Sequence, residues 1–160
     1  MKDIFWIRHE DEPRLAIVSR PRGGDWLKND LLKLRQYGID VLVSMLTSEE
    51  SEELDLADER LVAEGVGLTF QSFPIPDRAV PEDTEAFRAF IHGLANDVRA
   101  GKRIGVHCRM CIGRSTLTAA STLRDLGWSG TGALSLVEDA RGCSVPDTSE
   151  QRRWIVTFQP

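Results

Sequence analysis

The chain has 160 residues, with 20 Lys and Arg against 25 Asp and Glu, for a formal net charge of −5. Apolar residues make up 41% and charged residues 28%, the balance of one folded domain around a single core rather than of a disordered chain. The acidic excess argues against nucleic acid or an anionic membrane surface as the main partner, and no apolar run approaches the ~18 residues of a spanning helix.

In chain order, Ile4–Ile7 is a first β-rich segment, too short to be the apolar core of a leader, and MKDIFWIRHEDEPR lacks a signal-peptide pattern. Leu15–Val18 is a second. Asp25 is expected to cap a helix running to about Tyr37, with Leu27, Leu31 and Leu34 on one stripe and Gly38 as its stop. Val41–Leu46 is almost wholly apolar, as a strand covered on both faces should be. Thr47 and Glu50 have capping-box spacing at the head of two short helices that end at Gly65. Glu49, Glu50, Glu52 and Glu53 there read as a solvated face. Leu68–Phe73 is a fourth strand, with Leu68 and Phe70 on one side. Pro81, Glu82 and Asp83 open a helix whose Phe87, Phe90, Ile91, Leu94 and Val98 recur at helical spacing as a core stripe. Arg103–His107 is the fifth strand, and helices are predicted over Ser115–Leu126, Thr131–Arg141 and Ser149–Phe158. Strands interleaved with helices predict an α/β fold, and no linker or repeat divides residues 1–160 into more than one domain.

Chemistry concentrates after the fifth strand, in His107-Cys-Arg-Met-Cys-Ile-Gly-Arg-Ser115. A loop of Cys108, Arg109, Met110, Cys111, Ile112, Gly113 and Arg114 between a strand and a helix can curl its N–H groups around one point at the helix N-terminus. Such a nest binds an anion, and the same field favours a thiolate at Cys108. Arg114 can grip two anion oxygens with its planar fork, and Ser115 can hydrogen-bond the Cys108 sulfur. His107 reads as a packed residue whose ring orients the loop. Three cysteines do not make a disulfide framework, and Cys143 reads as structural. A zinc site is not expected, because Arg114 would oppose a cation beside Cys108 and Cys111. No cofactor is expected, and a cytoplasmic location is.

HCRMCIGRS resembles the His-Cys-x5-Arg-Ser/Thr signature of cysteine-dependent protein phosphatases, in their compact dual-specificity-like branch. Phe73-Pro-Ile-Pro-Asp77-Arg-Ala-Val-Pro81 resembles that branch's general-acid loop, 31 residues ahead of Cys108. Arg141-Gly-Cys-Ser-Val-Pro-Asp-Thr-Ser-Glu-Gln151 resembles the segment whose glutamine handles the hydrolytic water. The resemblance covers roughly Leu15–Phe158. It implies a single domain built on a central, mostly parallel sheet of about five strands flanked by helices. It also implies Cys108 as nucleophile, Asp77 as general acid and Gln151 as water-positioning residue, although Thr148 and Gln151 alone read equally as a helix capping box. Asp77 could otherwise be a turn residue, and Arg78 either meets substrate or faces water.

One position departs from the signature, which has Gly three residues after the nucleophile where this chain has Cys111. A second thiol there raises reversible oxidation to a Cys108–Cys111 disulfide. The reading is a phosphomonoester phosphatase acting on phosphotyrosine, with phosphoserine and phosphothreonine also open, in phosphoproteins or small phosphomonoesters. Its oligomeric state is undetermined by the sequence. The alternatives are a phosphopeptide-binding module of weak turnover, and another thiol enzyme of the sulfurtransferase or arsenate reductase kind.

Overall fold

The computed structural model describes residues 3–160; Met1 and Lys2, where the stretch read for a leader begins, lie outside the described residues. Five strands form one sheet: β1 (Ile4–Trp6), β2 (Leu15–Val18), β3 (Val41–Ser44), β4 (Thr69–Ser72) and β5 (Ile104–His107). Their order is β1-β2-β5-β3-β4; β1 runs antiparallel to β2, and every other pairing is parallel. β5 therefore lies at the centre, with Ile104–Val106 paired to Leu15–Ile17 on one side and Ile104–His107 paired to Val41–Ser44 on the other.

Side chains alternate across the sheet with the period of two that a strand imposes. Leu15, Ile17, Val41, Val43, Ile104 and Val106 enter one core, while Ala16, Val18 and Leu42 enter the other. The second core is closed by α1 (Leu27–Gln36) and α3 (Glu59–Gly65), through Leu27, Leu31, Leu34 and Ala63. The first is closed by α4 (Thr84–Arg99), α5 (Arg114–Asp125), α6 (Gly130–Arg141) and α7 (Ser149–Thr157). α2 (Ser48–Glu53) is a short helix between β3 and α3. The helix after β2 and the helix after β5 cover opposite faces of neighbouring strands. A crevice opens at the carboxyl ends of strands where this happens, and ligands bind there.

The helix starts follow local chemistry. Thr47 and Glu50 make the expected capping box on α2, and Thr148 and Gln151 make one on α7. α4 starts at Thr84 rather than at Pro81, because Asp83 caps it by accepting from the Ala86 N–H at 3.0 Å. Asp25 does not cap α1: it sits inside a 3-10 turn over Gly24–Trp26, and the helix begins at Leu27 with no side-chain cap. β3 and β4 are shorter than the apolar runs that predict them. Met45 and Leu46 remain buried after the ladder stops, so burial and not pairing explains their apolar character.

Candidate active site

β5 ends at His107, and residues 108–113 turn directly into α5, whose first residue is Arg114. Three carbonyls of this turn, those of Cys108, Cys111 and Gly113, meet donors in the protein. Cys111 O accepts from Arg141 Nε at 3.0 Å, and Gly113 O accepts from the Leu117 N–H at 2.9 Å. Cys108 O lies 3.3 Å from His107 Nδ1. Arg141 is itself braced 4.1 Å above the Phe5 ring. Among the described residues, the main-chain N–H groups of 109–113 donate to no carbonyl or side chain. A run of unpaired main-chain N–H groups at a strand-to-helix turn is what an anion-binding nest requires.

Cys111 sits in this turn at φ 58°, the left-handed region in which glycine has no Cβ penalty. That conformation accounts for a glycine at this place in the resembling signature, and Cys111 adopts it at a cost of ~1–2 kcal/mol. Its side chain is buried, with Sγ donating to Val18 O at 3.0 Å. The next close approach is at Gly113, where a Cβ would stand 2.8 Å from Asp147 Oδ2 and 2.9 Å from Gln151 Oε1. Any larger residue there would displace the Asp147 and Gln151 side chains from the loop.

Cys108 lies at the floor, 2% exposed. Its thiol is held well below the ordinary value, first by a hydrogen bond from the Cys111 S–H, which it takes in competition with Val18 O, against the opposing effect of burial. The Ser115 hydroxyl and N–H and the positive charge of Arg114 add to the lowering. Ser115 Oγ is buried without any well-formed hydrogen bond, which leaves its hydrogen for the sulfur. The proton stays on Cys111, whose own thiol is pushed well above its usual range by the same contact and by burial. Cys108 is thus a buried thiol whose surroundings favour the thiolate.

Arg114 is 1% exposed and almost fully engaged. Nη1 donates to Glu50 Oε1 at 2.6 Å and to Ile75 O at 2.8 Å, and Nη2 donates to Glu50 Oε2 at 2.9 Å and to Asp77 Oδ1 at 3.1 Å. Nε is buried and has no partner. Nε is thus its unpaired donor, and the Nε–Nη2 edge of the planar fork opens to an anion when Asp77 gives up Nη2. Glu50 overturns its sequence assignment: it is 8% exposed and belongs to this site, not to a solvated face. Its capping role turns it inward, since Oε1 also accepts from the Thr47 N–H at 3.2 Å. Burial works to raise the Glu50 carboxyl, but hydrogen bonds from Arg114 and Thr47 leave it below the ordinary value.

Asp77 arrives on the segment after β4, which hangs from β3 through Phe73 N–H to Ser44 O at 3.0 Å and Ile75 N–H to Met45 O at 3.2 Å. Its side chain is about half exposed and leans on Arg114. Arg78 is exposed and lies 3.8 Å from Asp147. Gln151 is fully buried and does two things: Oε1 accepts from the Thr148 N–H at 3.3 Å, and Nε2 donates to Ala79 O at 3.0 Å. The capping role and a position between the Asp77 segment and the loop hold together. At the rim, Met110 is 67% exposed, Ile112 is half-buried, and Arg109 reaches Glu53 at 3.2 Å. Cys143 is an exposed free thiol, not a structural one.

The site thus brings together His107, Cys108, Cys111, Arg114, Ser115, Asp77 and Gln151. Sequence reasoning misses Glu50, Glu59 and Arg141. Of these, only Glu50 carries a signal, the Thr47 spacing. Glu59, the first residue of α3, lies in a polar run yet is 2% exposed, with its carboxylate 2.5 Å from His107 Nε2.

A buried thiol and a buried guanidinium thus stand together at the junction of the central strand and a helix. A family model described as polymorphic toxin system, DSP-PTPase phosphatase, matches residues 16–127, more than half of the sequence, and the chain belongs to that family. It is a cysteine-dependent phosphatase of the tyrosine and dual-specificity type. No curated protein matches the sequence. Among solved structures, kinase-associated phosphatase with its catalytic cysteine changed to serine is similar over 97% of this chain and 92% of its own, at 21% identity and a TM-score of 0.87. Tk-PTP in its active form is similar over 94% and 92%, at 24% identity and a TM-score of 0.75. PTPMT1 in complex with PI(5)P is similar over 90% and 88%, at 17% identity and a TM-score of 0.74. At these identities the likeness is one of fold.

Proposed function

We propose that residues 108–114 form the phosphate-binding loop of a phosphomonoesterase acting on phosphotyrosine, with phosphoserine and phosphothreonine within its range, and that residues 1–160 are its single catalytic domain. The carrying observation is the row of unpaired N–H groups at 109–113 above a Cys108 sulfur held below its ordinary pKa. A phosphate dianion seats on those N–H groups and on Arg114 Nε and Nη2. Cys108 thiolate attacks phosphorus in line, and Asp77, protonated, gives its proton to the leaving oxygen. The cysteinyl phosphate is then hydrolysed by a water from which the Asp77 carboxylate takes a proton. Gln151, whose Nε2 keeps one N–H beyond the bond to Ala79 O, orients that water in this reading. Ser115 stabilises the sulfur as it leaves. One anionic nucleophile and one neutral acid at the same pH give a bell-shaped rate profile.

Asp77 has to leave Arg114 Nη2 for this, because the anion takes that edge. The substrate is a phosphoprotein or a small phosphoester. No helix of the described residues is long and apolar enough to cross a membrane, and a cytoplasmic location suits free thiols. The test is hydrolysis of an aryl phosphate, blocked by vanadate and abolished in Cys108→Ser. Turnover that survives in Cys108→Ser refutes the assignment.

The pairing of Cys111 with Cys108 also supports reversible oxidation. Peroxide oxidises the Cys108 thiolate: an S–O bond forms, the O–O bond breaks, and hydroxide leaves to take up a proton as water. Cys111 sulfur then attacks that sulfenic sulfur, giving up its proton as the S–O bond breaks and a second water departs. Intact-mass measurement after mild peroxide should show the loss of two hydrogens between these residues. Sulfinic Cys108 alone would refute it.

A further inference from the structure

His107 is fully buried, and both of its ring nitrogens face acceptors. Nε2 lies 2.5 Å from Glu59 Oε1, and Nδ1 lies 3.3 Å from Cys108 O. Neither acceptor offers a hydrogen while Glu59 is ionised, so both contacts are satisfied together only when both nitrogens carry one. Glu59 is 2% exposed and, among the described residues, has no cation other than His107 within ion-pair distance. An ionised carboxylate buried this far needs such a partner. Glu59 also lines a cavity of about 320 Å³ between α2, α3 and β4.

We propose that Glu59 is a positioning residue for the reaction: through His107 it holds a doubly protonated ring against the Cys108 carbonyl, fixing the first bend of the loop and keeping the nucleophile's sulfur anionic. The inference rests on Cys108 being the nucleophile. It goes beyond the signature histidine, because the partner comes from a helix far from the loop in sequence. The titratable groups facing the ring are Glu59 from α3 and Cys108 from the loop. The neighbouring strand β3 contributes Ser44 as the register partner of His107, which does not titrate. Burial works to discharge the ring, and the Glu59 charge and hydrogen bond outweigh it, so its pKa lies above the ordinary histidine value.

The sign of one measurement separates this role from a plain nearby anion. If Glu59 acts only through its own charge, Glu59→Gln removes a negative neighbour and lowers the Cys108 pKa. If it acts through His107, the ring loses its proton and the Cys108 pKa rises. In a Cys143→Ser background, the pH dependence of Cys108 alkylation by iodoacetamide reads this without any turnover. The expected result is a midpoint displaced upward, with alkylation at pH 6 slowed roughly tenfold. Glu59→Asp, which keeps the charge, should restore the midpoint. A midpoint that falls or stays in Glu59→Gln, or rises as far in Glu59→Asp, overturns the proposal.

Should Glu59→Gln not fold, nitrogen NMR of the His107 ring in the unaltered chain decides instead. Two protonated nitrogens at pH 7.5 support the dyad, and a neutral tautomer overturns it. Loss of aryl phosphate hydrolysis in Cys108→Ser is a separate result, so failure of the dyad leaves the nucleophile assignment standing.

Discussion

At Cys111 two costs and one gain meet in a single residue. The left-handed backbone strains any side chain, and the buried thiol fills space that glycine would leave open. In return its S–H contributes most to lowering the Cys108 thiol. Cys111→Gly therefore separates the two effects. It should remove ~1 kcal/mol of strain, partly offset by the greater chain freedom of glycine, while moving the Cys108 alkylation midpoint upward. Chemical denaturation and thiol alkylation on the same variant check both, and a midpoint that does not rise would show that the second thiol is not the donor. Asp77→Ala belongs to the same scale. It should slow aryl phosphate turnover by about 10²–10⁴-fold if Asp77 is the acid. A loss below a few-fold in steady-state kinetics would remove it from the mechanism.

At the scale of elements, the site depends on where segments are tied rather than on any one helix. The Asp77 segment is held by Arg114, by β3 main chain and by Gln151, and its base, Phe73, enters an aromatic cluster with Phe87 at 5.3 Å. Phe87 in turn stands 5.1 Å from Trp154 on α7, the helix that carries Gln151. Phe87→Ala should cost about 3–5 kcal/mol by thermal or denaturant unfolding, as deletion of a large buried ring does. A cost under about 1 kcal/mol would mean that the cluster repacks without loss. Much of this scale is legible in the sequence: the α4 stripe, the two capping boxes and the strand-to-loop junction at His107-Cys108 all follow from residue type and spacing. The starts of α1 and α4 differ because Asp25 and Asp83 are equally good caps by type, and only tertiary placement decides which is used. Glu50 and Glu59 are hidden for a related reason. An acidic residue on a short polar helix reads as solvated until its buried cation, Arg114 or His107, is known, and those partners come from distant segments.

At the scale of the whole molecule, acidic residues are recruited to hold cations behind a site that must itself receive an anion. Glu50 on Arg114 and Glu59 on His107 let a buried guanidinium and a buried imidazole ring sit at the carboxyl end of the central strand without unpaired charge. This arrangement gives stability a defined pH dependence. The Glu50 carboxyl is lowered in the folded chain, so its contribution is full above its ordinary value of 4.5 and is lost as pH falls through the folded value. His107 is raised, so its contribution is full below 6.5 and is lost as pH rises through its folded value. Melting temperatures across pH should thus fall on the acid side less steeply in Glu50→Gln than in the unaltered chain, although from a lower plateau. Equal acid slopes would contradict the assignment. The most direct test of the central claim is to mix the protein with an aryl phosphate, quench it in denaturant during turnover, and map phosphorylated peptides by mass spectrometry. The account predicts a phosphoryl group on Cys108 of peptide 108–114, absent in Cys108→Ser. Turnover with phosphate on another residue, or on none, would contradict it.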